Sequence, residues 1–140
     1  MIQKFFNLEI ITDGQRLYNI TSDTEKWIKK NNFINGIINL SVLHTSASLI
    51  VQENADPDVQ DDLINFFDKL VPMNNELYKH NTEGKDDMPA HIKSALTNNQ
   101  ISLSLKNNEL VLGTWQGIYL FEHKLCSGKR IVNFHFIGEK

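Results

Sequence analysis

The stretch GIINLSVLH, from Gly36 to His44, alternates residue by residue, with Ile38, Leu40, Val42 and His44 on one face and Ile37, Asn39, Ser41 and Leu43 on the other. A two-residue period with one markedly apolar side is the signature of a strand that packs one face on a core. His44 ends that apolar face, where a lone histidine is commonly a hydrogen-bonded core residue. Thr45-Ser46 then bends the chain, and Ala47 to Gln52 reads as a second strand.

The same pattern recurs outward in both directions. Ile2 to Ile11 is rich in Phe, Ile and Leu, Thr12-Asp13-Gly14 supplies a turn, and Gln15 to Ile20 follows, which reads as a hairpin. Ser22-Asp23-Thr24-Glu25 fits a capping box and opens a helix through Trp27 and Ile28 to about Asn32. Asp56-Pro57 is a second helix start, and Val59, Leu63, Phe66, Phe67 and Leu70 form one apolar stripe behind it, ended by Val71-Pro72. Ile101 to Leu105, the Asn107-Asn108 turn and Glu109 to Leu112 read as another antiparallel pair. Ile118 to His123 and Ile131 to Ile137 make the last two strands, around a turn at Leu125-Cys126-Ser127-Gly128. Short turns between antiparallel strands, with a few helices interspersed, predict an α+β domain, and two packed sheets hide so many half-apolar strands.

At 140 residues the chain reads as one domain, 1–140. Apolar residues at 41% and charged residues at 22% are those of an ordinary globular protein. A formal charge of −3 with no block of Lys and Arg argues against nucleic acid or an anionic membrane as a partner. MIQKFFNLEI lacks the apolar core and cleavage site of a secretory signal, so the expected location is the cytoplasm. The single cysteine, Cys126, has no partner for an intramolecular disulfide and is a poor start for a thiolate metal site.

Chemistry-bearing residues concentrate in YKHNTEGKDDMPAHIKSAL, Tyr78 to Leu96, where His80 and His91 flank Glu83, Asp86 and Asp87, with Lys93 just after. Asp87-Met88-Pro89 is a helix start, placing His91 in the first turn, where the positive end of the helix dipole favours a neutral imidazole able to ligate a metal or donate a hydrogen bond. The same residue types also serve as ordinary caps and solvated side chains.

His44-Thr45-Ser46-Ala47-Ser48-Leu49, Glu53-Asn54-Ala55-Asp56-Pro57, the Tyr78 to Leu96 stretch, and Leu112-Gly113-Thr114-Trp115-Gln116-Gly117-Ile118 with Glu122-His123 together resemble the signature blocks of the YjbQ-like family, whose usual label is secondary thiamine-phosphate synthase. The resemblance runs in order from about Phe5 to Glu139. It implies a two-sheet antiparallel β-sandwich of about seven strands with flanking helices, a homotrimer, and a polar pocket holding a divalent metal, with zinc the leading candidate, on His44, His80 and His91. Lys124 to Lys129 departs from members with an acidic, glycine-proline turn and resembles a subgroup with a basic one.

Thiamine-phosphate synthesis joins a pyrimidine-methyl diphosphate to a thiazole phosphate, so a small phosphorylated substrate is the expected partner. Thr45, Ser46, Asn54, Lys93 and Arg130 are candidate binding groups for the departing pyrophosphate, and Trp115 for stacking on a ring. Glu53, which follows an apolar strand, is the first choice for an acid or base. Two further readings stand beside this one: a metal-dependent hydrolase in which Glu53 or Glu83 handles protons, and a non-catalytic trimer that binds a metal or a phosphorylated ligand.

Overall fold

Two antiparallel sheets face each other across a shared core in the computed structural model, which describes residues 1–126 and 128–140. In chain order the elements are β1 (Ile2–Thr12), β2 (Arg16–Asn19), α1 (Thr21–Lys30), β3 (Asn35–Val42), β4 (Ala47–Glu53), α2 (Pro57–Leu70), a short 3-10 turn (Asn75–Leu77), α3 (Asp87–Leu96), β5 (Gln100–Lys106), β6 (Glu109–Leu110), β7 (Gln116–Glu122) and β8 (Gly128–Glu139). One sheet has the order β1-β8-β3-β5-β6, the other β2-β7-β4. This is the expected α+β sandwich, with eight strands among the described residues. Among those residues no helix is long and apolar enough to cross a membrane.

The alternation in β3 survives intact: Ile38, Leu40 and Val42 are buried, while Ile37 is exposed. They meet Phe134 and Phe136 of β8 and Leu103 and Leu105 of β5, with Leu49, Ile118 and Leu120 supplied by the facing sheet. Trp27 and Ile28 of α1 join the same core. Leu17, Tyr119 and Phe121 form a second cluster, against which Leu63, Ile64 and Phe67 of α2 pack. The apolar stripe of α2 is thus only partly used, because Phe66 and Leu70 lie more than half exposed.

The hairpin expected at the N-terminal end does not form. β1 pairs with β8 over eleven registered positions, Ile2 to Thr12 against Gly138 to Gly128, while β2 pairs with β7 in the other sheet. The turn at Asp13-Gly14 is real, held by the Tyr18 hydroxyl, but it carries the chain from one sheet to the other. β7 and β8 are likewise divided between the sheets, so the Cys126 turn is a crossover; Ser127 within it lies outside the described residues. A turn signal specifies local reversal, not which strand lies alongside. The Asn107-Asn108 hairpin does form, with both residues at positive φ, 52° and 66°, the conformation that suits asparagine.

Helix caps follow a similar division. Asp56 accepts from the Asp58 N–H at 2.9 Å, as a cap before Pro57 should. The capping box at Ser22 is absent: α1 begins at Thr21, the Thr21 hydroxyl accepts from Ile118 N–H, and Thr24 donates back to the Ile20 carbonyl. Gly36 and Gly138 are register partners, and the Phe136 ring lies across both; a Cβ at Gly36 would come within 2.8 Å of that ring. Phe33 stacks on Phe136 at 3.9 Å and meets Trp27 edge-on at 5.0 Å, tying α1 to the larger sheet. Phe33→Ala empties this fully buried position and lowers the unfolding free energy by about 3–5 kcal/mol in chemical denaturation, whereas Phe66→Ala on the exposed face of α2 changes it by about 0.5 kcal/mol or less.

A candidate metal centre at one end of the sandwich

α3 begins at Asp87, with Asp86 at the cap position, so His91 is the fifth helical residue and stands in the second turn rather than the first. Asp87 and His91 are then four apart and share one helix face. His80 reaches the same point from the preceding loop. Its Nε2 lies 2.7 Å from Asp87 Oδ2, His91 Nε2 lies 3.1 Å from the same oxygen, and the three ligand atoms are all within 4.8 Å of one another.

The tautomer of His91 gives this cluster its chemistry. His91 Nδ1 faces the Thr45 carbonyl at 2.9 Å, and a carbonyl only accepts, so Nδ1 carries the proton. In a neutral ring Nε2 is then a lone pair aimed at a carboxylate oxygen. Those two groups repel unless a proton or a cation lies between them, and two imidazoles with one carboxylate are a recognised ligand set for a divalent transition metal. The donor set therefore fits a metal. Glu83 Oε2 stands 3.4 Å from His80 Nε2 at the rim.

Asp87 is nearly buried. Burial alone would raise its pKa, but hydrogen bonds from Lys124 and His80 outweigh that and hold the carboxyl well below the usual carboxylate range. Lys124 Nζ donates to Asp87 Oδ1 at 3.0 Å, and the next backbone N–H, of Leu125, donates to Asp86 Oδ2 at 2.8 Å. Asp86 therefore caps nothing within its own helix; it binds the exit of β7.

His44 lies just beyond β3 and lines a polar cavity of about 360 Å³ together with Thr45, His91, Ser94, Thr97 and Asn99. Its Nε2 accepts the Ile131 N–H at 2.9 Å, so the neutral ring carries its proton on Nδ1. Burial, and then the nearby Arg130 cation, push its pKa down and favour that neutral form. The residue that converges with His80 and His91 is Asp87, and the helical spacing Asp87-x-x-x-His91 was the signal for it in the sequence.

The other candidate binding residues divide between two ends of the molecule. Ser46 accepts from Arg130 Nη2 through both its hydroxyl and its carbonyl, and Arg130 forms a two-pronged pair with buried Glu122 at 2.6 and 2.7 Å. Lys93 points inward from α3, fully buried, and pairs with Asp68 at 2.5 Å. Both cations thus hold structural carboxylates. Glu53 Oε2 accepts the Ala55 and Asp56 N–H groups, Asn54 Nδ2 donates to the Thr114 and Gln116 carbonyls, and Trp115 is 64% exposed beside them. This group sits at the far end of β4 from Thr45 and Ser46, six residue steps or about 20 Å along the strand. Within one chain, therefore, Glu53, Asn54 and Trp115 do not share a site with His80 and His91.

Beneath the cavity, Thr97 Oγ1 lies 2.6 Å from Ser48 Oγ, which lies 2.9 Å from His123 Nε2; His123 is fully buried and its Nδ1 has no partner among the described residues. Burial, with Lys93 and Arg130 nearby, pushes His123 down to about 3. The unfolded imidazole titrates near about 6.5, so the unfolded chain takes up a proton that the folded chain resists. This contribution is complete above about pH 6.5 and is lost as pH falls toward about 3. In urea denaturation across that range, His123→Gln loses less stability on acidification than the parent does. Arg130→Met leaves Glu122 buried without its cation and costs about 3–5 kcal/mol in the same experiment at neutral pH.

Comparison with known proteins agrees with this architecture. The family model described as UPF0047 protein YjbQ-like matches residues 6–139. The chain is 48% identical to the UPF0047 protein sll1880 of Synechocystis over 94% of its own length and 90% of that protein, and 46% identical to the UPF0047 protein YjbQ of Salmonella typhimurium over 74% and 75%. The conserved hypothetical protein TT1486 of Thermus thermophilus superimposes with a TM-score of 0.84 at 32% identity, covering 94% of this chain and 99% of that one. A YbjQ-like protein of unknown function from Sulfolobus solfataricus shares the fold, with a TM-score of 0.85 at 23% identity over 99% of this chain and all of that one. A family match over nearly the whole chain, with relatives of this identity, places the chain in the UPF0047 family of YjbQ-like proteins.

Proposed function

We propose that this protein is a metal-dependent enzyme of small phosphorylated molecules, of the thiamine-phosphate synthase-like type, with its centre at His80, Asp87 and His91. The observation that carries the reading is the fixed tautomer of His91, which turns an Nε2 lone pair toward Asp87 Oδ2, 3.1 Å away and beside His80. Two imidazoles and one carboxylate leave coordination positions for substrate, and zinc is the leading candidate ion. When bound, a divalent ion would supply Lewis acidity toward the oxygens of a departing pyrophosphate.

The chain's own residues have separable tasks. Thr45 orients His91 through its carbonyl. His44, neutral and with its proton on Nδ1, serves as a hydrogen-bond donor on the wall of the cavity rather than as a third imidazole ligand. Ser94, Thr97 and Asn99 complete a polar wall for the substrate's heterocycle. The homotrimer belongs to the same reading: Phe5, Ile37 and Ile137 are exposed on the outer face of the five-stranded sheet, where a subunit contact would cover them.

One observation favours a second reading, metal-dependent hydrolysis. Glu83 sets another carboxylate 3.4 Å from His80 Nε2, within reach of a proton released by an attacking water. Elemental analysis of untagged, undialysed protein tests the centre. The parent is expected to hold near-stoichiometric divalent metal, and His80→Ala, Asp87→Ala and His91→Ala to lose it while still folded. A parent that takes up no metal after incubation with zinc, manganese or ferrous iron would remove the centre. Product formation from the pyrimidine-methyl diphosphate and thiazole phosphate supports the transferase; turnover of generic phosphate or amide substrates without it selects the hydrolase.

A further inference from the structure

We infer that Lys124 is a positioning residue that confines Asp87 to a single metal-facing oxygen and thereby sets which cations the centre accepts; this rests on the metal-centre reading above. The two oxygens of Asp87 are divided between different partners. Oδ2 faces His80 Nε2 at 2.7 Å and His91 Nε2 at 3.1 Å, whereas Oδ1 accepts from Lys124 Nζ at 3.0 Å. An ion chelated through both oxygens would share Oδ1 with the Lys124 ammonium, whose positive charge repels it. Chelation through Oδ1 is therefore disfavoured while Lys124 stays in place.

Lys124 is not free to leave. Its Nζ also lies 3.4 Å from Asp86 Oδ1, its backbone N–H donates to Glu122 Oε2 at 3.2 Å, and the following N–H of Leu125 donates to Asp86 Oδ2 at 2.8 Å. Glu122 is in turn clamped by Arg130 and by the Thr12 hydroxyl. The ammonium is held by the two carboxylates at the start of α3 and the backbone behind it by Glu122 of β7, and its side chain is only 21% exposed. Swinging the side chain away breaks both carboxylate contacts.

One carboxylate oxygen and two imidazoles suit ions content with four or five ligands, such as zinc and cobalt. Calcium takes six to eight oxygens and commonly uses both oxygens of a carboxylate. By holding Oδ1, Lys124 therefore selects against large oxygen-seeking ions. The outer partner of a ligating group acts here as a selectivity element.

The test uses the full chain loaded with Co²⁺, whose visible d–d absorption weakens as coordination number rises. The parent is expected to show the stronger band of a four- or five-coordinate ion. Lys124→Met should lose band intensity and gain calcium or manganese in competition against zinc, and Lys124→Arg, which can still donate to Oδ1, should keep the parent spectrum. Asp86→Asn loosens Lys124 without touching Asp87 and should shift the spectrum the same way by a smaller amount, which keeps the test available if Lys124→Met does not fold. A Lys124→Met spectrum and metal preference identical to the parent's overturn this role while leaving the centre standing. A parent with no cobalt band overturns the centre, and the role of Lys124 with it.

Discussion

Glu122 is 1% exposed, and a buried carboxylate is tolerated only when its charge is met on the spot. Arg130 meets it with two parallel hydrogen bonds at 2.6 and 2.7 Å, and the hydroxyl of Thr12 adds a third at 2.7 Å. The three groups come from the end of β7, the start of β8 and the end of β1. β7 belongs to the smaller sheet and the other two to the larger, so the pair pins the sandwich shut at one end. Arg130 also holds Ser46 in the link between β3 and β4, another crossing between the sheets.

That same junction orders the candidate centre, because its contacts close into a ring. Asp87 faces His91; His91 donates to the carbonyl of Thr45; Ser46, the next residue, is held by Arg130; Arg130 pairs with Glu122; and Lys124, two residues on, returns to Asp87. Each link is a hydrogen bond or a short run of chain. Glu122 is thus connected to His91 by polar contacts that bypass the apolar core. Rigid support of this kind is what a preorganised site requires, since ligand geometry is set by the groups behind the ligands.

α3 serves two purposes through its two faces. Asp87 and His91 look toward the cavity end, while Lys93 and Ser94 look inward, Lys93 to Asp68 on α2 and Ser94 to the Ala47 carbonyl on β4. Lys93 is fully buried, so its pair with Asp68 fastens the helix across the smaller sheet, and Gln15 supports the same carboxylate. Lys93, one of the candidate phosphate-binding residues, is in fact spent on holding the helix that presents the ligands. Arg130 has been diverted in the same way.

Periodicity alone determined most of the elements. The alternation through Gly36 to His44, the Asn107-Asn108 turn, the Asp56-Pro57 helix start and the concentration of histidines and acids between Tyr78 and Leu96 were all legible, because strand faces, positive-φ turns and helix caps depend on residues within a few positions of one another. Partner choice was not legible. That β1 lies beside β8, that Thr12 meets Glu122 110 positions later, and that Arg130 and Lys93 are consumed by the carboxylates of Glu122 and Asp68 follow from which surfaces the folded chain brings together. The same holds for the metal candidates: the chain supplied the donors, and only the tertiary structure decided that Asp87 stands between the two imidazoles while His44 turns its Nε2 to the backbone of Ile131. A side chain's chemistry is written locally, but its role depends on the groups it must neutralise or be neutralised by, and those arrive from distant sequence.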